Sequence, residues 1–317
     1  MLTELKFVMG SIAKKDFLPA LSHFKIENGR VRGFNGTLAL SAPIQCDLNC
    51  TPKAIPLIKA IQNCTSTISL HMTEKGKLAV KSGQFKAYIE CIDGETPHVE
   101  PEGNFHEING HNIYEAVKVL EPFIGNDASR PWSNGVLFKG RSAFATNNVV
   151  AVEYWIGSEF PFEFNLPETA IREMLRIGEA PLRMQCKDNC LTFHYSGERW
   201  IRTQLLDSAW PDIGNILNKV ASYVPFDTRI FEGLEVIKPF LDKMGRVYFA
   251  NDYISTQQDI NDGASFYIPD MKFEGIYAYE NIMLLKGVAQ SIDYMNYPAP
   301  SLFIGEKLRG AIIGFRL

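Results

Sequence analysis

The chain has 317 residues, 46% of them hydrophobic and 21% charged, with a net charge of −4. Such a length exceeds one ordinary core and suits two or three domains, and the balance excludes a disordered chain and a uniformly basic nucleic-acid binder. It leaves room for a basic lining on an acidic body, because binding follows the local field. The amino terminus is too mixed in charge for a secretory signal, and no window approaches the roughly 20 apolar residues of a membrane span. A cytoplasmic protein with no membrane partner is expected. Its cysteines, Cys46, Cys50, Cys64, Cys91, Cys186 and Cys190, then read as reduced core residues, and the pairs spaced by three residues lack the neighbouring histidines of a metal site.

Apolar periodicity predicts six helices, at Leu2 to Ala13, Pro52 to Gln62, His111 to Phe123, Pro167 to Ile177, Arg229 to Leu241 and Tyr279 to Ser291, each followed by strands. After the odd-numbered helices come related hairpins from Gly29, Gly140 and Gly245, in which an apolar strand reaches Asn-Gly, Asn-Asn or Asn-Asp, turns and returns alternating. The even-numbered helices share another sequel, with Ser82-Gly83 and Ser196-Gly197 as turns, and a looser copy begins at Pro300. The clearest unit starts at Pro167, where Ile171, Met174 and Leu175 fall on one helical face, Gly178 stops the helix, and alternating strands flank Lys187 to Asn189. The pattern predicts an α+β chain of three repeats, 1–104, 105–219 and 220–317, each with two helices on antiparallel sheet.

No phosphate loop, nucleophile elbow, zinc-protease helix or dinucleotide fingerprint is present. The six histidines are scattered, and His194 on an alternating strand reads as structural. Neither enzyme activity nor a cofactor is expected. Basic residues do recur on or beside the helices: Lys14 and Lys15, Lys53 and Lys59, Lys118, Arg172 and Arg176, Lys238 and Lys243, and Lys286. Two readings fit them, a set of solvated faces or one shared surface that tracks phosphates. The chain end is also unusual, since Ile312, Ile313, Phe315 and Leu317 stay apolar where termini are ordinarily polar and frayed.

In order and spacing these segments resemble one family. LPALSHFKIENGRV from Leu18, CTPKAIPLIKAI from Cys50, GKLAVKSGQFKAYI from Gly76, NGVLFKG from Asn134, FATNNVVAV from Phe144, NLPETAIREMLR from Asn165, WPDIGNIL from Trp210 and the closing Phe315-Arg316-Leu317 are similar to the bacterial beta sliding clamps, the DNA polymerase III beta subunit. The resemblance implies three DNA-clamp domains per chain and a head-to-tail homodimer closed as a ring. Helices would line a hole for duplex DNA of any sequence, and the ring would tether the replicative polymerase after loading by a clamp loader. It places a partner-peptide groove at Thr146, Asn148, Val149, Val150, Pro211, Asn215, Ile216, Ile313, Gly314, Phe315, Arg316 and Leu317. Residues facing DNA would be Lys14, Lys15, Lys53, Lys59, Lys118, Arg130, Trp132, Arg172, Arg176, Lys238 and Lys286, with Trp132 open also to a role as a cap on the domain core.

The chain departs from the family pattern in two places. Asn147-Asn148-Val149-Val150 is one residue shorter than the usual Asp-Gly-His-Arg-Leu, and Ile313-Gly314-Phe315 replaces Met-Pro-Met. Partner peptides are therefore expected to differ, and the divergence suits a bacteriophage-encoded member. The rival reading is a non-catalytic structural or assembly protein built of the same repeats.

Overall fold

The computed structural model describes residues 1–13, 18–94 and 96–316. Its helices are α1 (Leu2–Val8), α2 (Ala54–Gln62), α3 (Gly110–Leu120), α4 (Glu168–Ile177), α5 (Gly214–Leu217), α6 (Arg229–Ile237) and α7 (Tyr279–Met283). Six occupy the expected places and α5 was not foreseen.

Their ends differ from expectation for local reasons. Pro239 has no N–H to give, so α6 closes at Ile237 in the tighter turn Lys238–Phe240. Instead of opening α4, Pro167 ends the strand Phe164–Pro167, and the helix begins at Glu168, whose N–H donates to the Asn134 carbonyl at 3.0 Å. The last helix stops at Met283 rather than near Ser291: the bonds that follow are mixed, Lys286 to Met283 and Val288 to Leu285 three residues back and Ala289 to Leu285 four, and Gly287 turns left-handed at φ +79°.

The expected hairpins all form. Arg30–Phe34 pairs with Leu38–Pro43, Ser142–Thr146 with Val150–Trp155, Arg246–Ala250 with Tyr253–Ser255, Leu78–Ser82 with Phe85–Ile89, Cys190–His194 with Trp200–Gln204, and Ser301–Gly305 with Leu308–Ile312, every pair antiparallel.

The chain divides into two compact units, Met1–Glu115 with Thr169–Leu206, and Ala116–Glu168 with Asp207–Leu317. Residues 105–219 contribute to both, because hydrogen-bonded sheets join hairpins far apart in sequence. In the first unit a seven-stranded sheet runs Lys25–Glu27, Arg30–Phe34, Leu38–Pro43, Trp200–Gln204, Cys190–His194, Arg183–Lys187, Asn104–Glu107. The second unit repeats this order across Gly135–Lys139, Ser142–Thr146, Val150–Trp155, Leu308–Ile312, Ser301–Gly305, Ser291–Asp293 and Val224–Pro225, with Phe164–Pro167 added at one edge. A three-stranded sheet completes the first unit and a four-stranded sheet the second.

Alternation decides what is buried. Phe24, Ile26, Leu40, Leu57 and Leu78 are closed to solvent in the first unit, and Phe138, Phe249, Tyr277 and Phe303 in the second. Aromatic packing binds the second core: Phe138 stacks on Phe164 at 4.7 Å, and Phe249 meets Phe273 edge-on at 4.8 Å.

Candidate partner groove and nucleic-acid interface

Three segments of the second unit converge on one sheet face. At the hairpin tip, Asn147 Oδ1 accepts the N–H groups of Val149 and Val150 at 3.0 and 2.7 Å, while its Nδ2 donates to Asn281 Oδ1 at 2.8 Å. Asn148 takes the left-handed φ of +72° that one short polar residue tolerates, and its N–H donates to Thr146 Oγ1 at 3.0 Å. This fixed tip presents Val149 half-buried and encloses Val150 in the core.

The floor follows from register. Ala151 lies opposite Thr146 on one side and Ala311 on the other, so these small side chains form a row on one face. Two residues beyond Ala311 on the same side, Ile313 is 42% exposed. Along this floor runs α5, started by Asp212, whose Oδ1 accepts the Gly214 N–H at 3.0 Å. Leu217 packs into a cluster with Leu302 and Ala311, with Ile213 and Ile216 against it, while Pro211 and Asn215 stay exposed.

The chain end is more firmly held than its position suggests. Ile313 N–H donates to Val149 O at 3.0 Å and Phe315 N–H to Ile276 O at 2.8 Å, and the Tyr297 hydroxyl donates to the Phe315 carbonyl. A Cβ on Gly314 would lie 2.7 Å from both the Ile276 oxygen and the Tyr297 ring, so glycine is needed for this approach. Arg316 is exposed and Leu317 lies outside the described residues. The structure thus brings Thr146, Ile216 and Ile313 to one face. Sequence reasoning missed Asn147, Ala151, Ile276, Asn281, Tyr297 and Ala311, which build the floor and its supports; only the Asn-Asn turn signal pointed at any of them.

Beyond Pro211 a hollow of about 290 Å³ continues over Leu137, Phe144, Trp210 and Ile213, rimmed by the ion pairs Arg309–Glu153 at 2.6 Å and Lys139–Glu163 at 3.0 Å. On the corresponding sheet of the first unit the segment before Asn104 is tied down along the sheet edge. There Arg32 pairs with Glu100 at 2.5 Å, Gln185 donates to Gly103 O at 2.8 Å, and Lys187 pairs with Glu102 at 2.8 Å. The hollow left beneath that segment is about 20 Å³.

The basic set is not uniform. Lys59 on α2, Lys118 on α3 and Arg172 on α4 are exposed, and Lys53 is half-buried at the start of α2. Arg176 is committed to the fold: its Nε donates to both oxygens of buried Glu173 at 2.9 and 2.8 Å, and its terminal nitrogens reach the carbonyls of Lys6 and Phe7 on α1. Lys286 pairs with Glu235 at 3.1 Å, and Lys238 lies 5.4 Å over the Tyr279 ring. Arg130 is exposed, 4.0 Å from Asp127. Trp132 is half-buried, edge-on to Trp210 at 5.2 Å, with its carbonyl accepting from Asn165 at 2.9 Å, the environment of a core cap. Lys14 and Lys15 lie outside the described residues.

Titratable groups away from these surfaces serve structure. Burial, aided by the charge on Arg183, pushes His194 down to about 4, and its Nε2 lies 3.0 Å from Gln185 Oε1. Burial, with Cys91 and Cys46 nearby, pushes the Cys50 thiol up to about 12, where it is unreactive. Among the described residues no group of three or more His, Cys, Asp or Glu could hold a metal ion, and no helix is long and apolar enough to cross a membrane.

No family model and no curated protein matches the sequence. Solved structures do match in fold over the full length. The DNA polymerase III subunit beta of Pseudomonas aeruginosa superposes with a TM-score of 0.83 at 17% identity, covering 100% of this chain and 97% of that one. The DNA polymerase sliding clamp of Bacillus subtilis gives 0.83 at 12% identity, and the Helicobacter pylori beta clamp bound to a DNA ligase peptide 0.79 at 15%, with the same coverage. The chain has the sliding-clamp fold.

Proposed function

We propose that this chain is a DNA sliding clamp, a non-catalytic cytoplasmic ring that holds a replicative DNA polymerase on its template. Each chain supplies three repeated domains, 1–104, 105–219 and 220–317, and two chains close head to tail around duplex DNA after a clamp loader opens them. The observation that carries this reading is the full-length likeness in fold to DNA polymerase III beta subunits. Open sheet edges suit the closure: Ser69–Met72 and Phe85–Ile89 in the first unit, Ser265–Tyr267 in the second, with Met72, Tyr88 and Tyr267 exposed along them.

Exposed Lys59, Lys118 and Arg172, together with Lys53, Arg130 and Lys238, would attract phosphates through solvent without fixing a register, which lets the ring slide. We assign Arg176 and Trp132 to structure and Lys286 to its pair with Glu235. The face formed by Thr146, Ala151, Ala311, Ile216 and Ile313 suits an extended peptide with a few apolar anchors, as a polymerase or loader would offer; the Helicobacter pylori clamp takes a DNA ligase peptide. Tethering by that peptide raises the local concentration of polymerase at the primer end.

Primer extension by the cognate polymerase, with its loader and either wild-type or Ile216→Asp protein, tests the reading. A carboxylate on the groove wall should reduce stimulation at least about tenfold, the cost of one lost anchor. Equal stimulation by both proteins would overturn the groove assignment.

A further inference from the structure

The small-residue floor of the groove, Thr146, Ala151 and Ala311, has a neighbouring row on the same sheet face. Two residues further along each strand, the register sets Phe144 opposite Glu153 and Glu153 opposite Arg309, with Leu137 across from Phe144. Side chains two apart on a strand point to one face, so the rows lie about 7 Å apart. The second row is the floor of the hollow of about 290 Å³ beyond Pro211, and Trp210 and Ile213 close its sides. Groove and hollow are thus adjoining depressions that share the segment 211–217 as a wall.

The rim of the hollow carries more negative charge than positive. Lys139 pairs with Glu163 at 3.0 Å and Arg309 with Glu153 at 2.6 Å, so each cation is matched by one carboxylate. Asp212 is left over. It is exposed, its Oδ1 accepts only the Gly214 N–H, and it forms no ion pair among the described residues. An apolar floor beside one unmatched carboxylate favours an apolar side chain accompanied by a cation and opposes an acidic neighbour.

We propose that a peptide held in the groove continues past Pro211 and sets a second apolar side chain into this hollow, with a lysine or arginine beside it that Asp212 selects. An extended peptide places alternate side chains about 7 Å apart on one side, the spacing of the two rows. The two apolar anchors therefore stand two residues apart, and the basic residue adjoins the second. The role of the hollow rests on the reading of the groove as a peptide site, and it adds the chemistry that the partner segment must carry.

The test selects random displayed peptides of about nine residues, long enough to span both depressions, against the full chain. An enriched peptide is then synthesised and titrated by fluorescence anisotropy against wild type, Asp212→Asn, Lys139→Gln and Ile216→Asp. Asparagine keeps the oxygen that accepts the Gly214 N–H, so Asp212→Asn removes the charge and leaves the turn. Enriched peptides should carry two apolar residues in alternate positions with Lys or Arg beside the second. Asp212→Asn should weaken such a peptide about two- to fivefold, the worth of one exposed ion pair, and flatten its dependence on salt. Lys139→Gln, which releases Glu163, should tighten it. With the basic residue of the peptide changed to alanine, wild type and Asp212→Asn should bind alike. Peptides enriched in apolar anchors alone, or bound equally by wild type and Asp212→Asn, overturn the role of the hollow; loss of binding in Ile216→Asp then still upholds the groove. Binding that survives Ile216→Asp, or no enrichment at all, overturns the groove reading and the hollow with it.

Discussion

At the scale of single residues, the most consequential reassignment is Arg176. It lies on α4 with the helical spacing of a phosphate-tracking side chain, yet its guanidinium joins buried Glu173 to two carbonyls of α1. Removing it would leave Glu173 buried and uncompensated. Arg176→Ala should therefore lower stability by about 2–3 kcal/mol, reduced from the full cost of breaking a buried pair because the arginine is 35% exposed. The urea midpoint measures this, and a shift worth under about 0.5 kcal/mol would return Arg176 to the set of candidate DNA-facing residues. His194 supplies a pH signature. Its folded value near 4 lies below the unfolded value of 6.5, so between these limits the unfolded chain binds a proton that the native state refuses. Its contribution is whole above pH 6.5 and declines as pH falls through that window, by on the order of 2 kcal/mol for a half-buried ring. His194→Gln should flatten the loss measured between pH 7 and 4.5, and an equally steep loss in the variant would place the titration elsewhere.

Among elements, the terminal segment changes what an experiment must look like. Phe315 is bound through its N–H to Ile276 and through its carbonyl to Tyr297, so deleting residues 315–317 removes part of the fold together with any partner contact. Phe315→Ala keeps the backbone bonds and takes only the ring. It should weaken partner-peptide binding about tenfold or more while the urea midpoint moves by less than about 1.5 kcal/mol; a collapse in stability with binding retained would make Phe315 purely structural. The helices at 54–62, 110–120, 168–177 and 229–237 and the hairpins were legible because period and turn chemistry are local. The opening hairpins, with Asn35-Gly36 and Asn147-Asn148, declared themselves through residues that accept unusual backbone angles. What a local reading lacks is the pairing of Trp200–Gln204 with Leu38–Pro43, or of Val150–Trp155 with Leu308–Ile312. Those non-local registers put Thr146, Ala151 and Ala311 in one row. Alanine carries no chemical signal, so the groove floor was invisible until the sheet was assembled, and the same holds for Glu173, an ordinary helix-surface glutamate by spacing alone.

For the whole molecule, the two long sheets share a strand order, but one linker is pinned by Glu100 and Glu102 while the other lifts into α5 and leaves a groove. The proposed ring would hold DNA by topology more than by affinity, attracting phosphates through solvent without a fixed register. That separates it from an ordinary binder. The decisive measurement is retention on nicked circular plasmid after loading by the cognate loader, followed by linearisation at moderate salt. The account predicts that the protein elutes with the circle and is lost within minutes of the cut, as a ring slides off the ends. Retention that is the same before and after the cut, or absent on the intact circle, would contradict it.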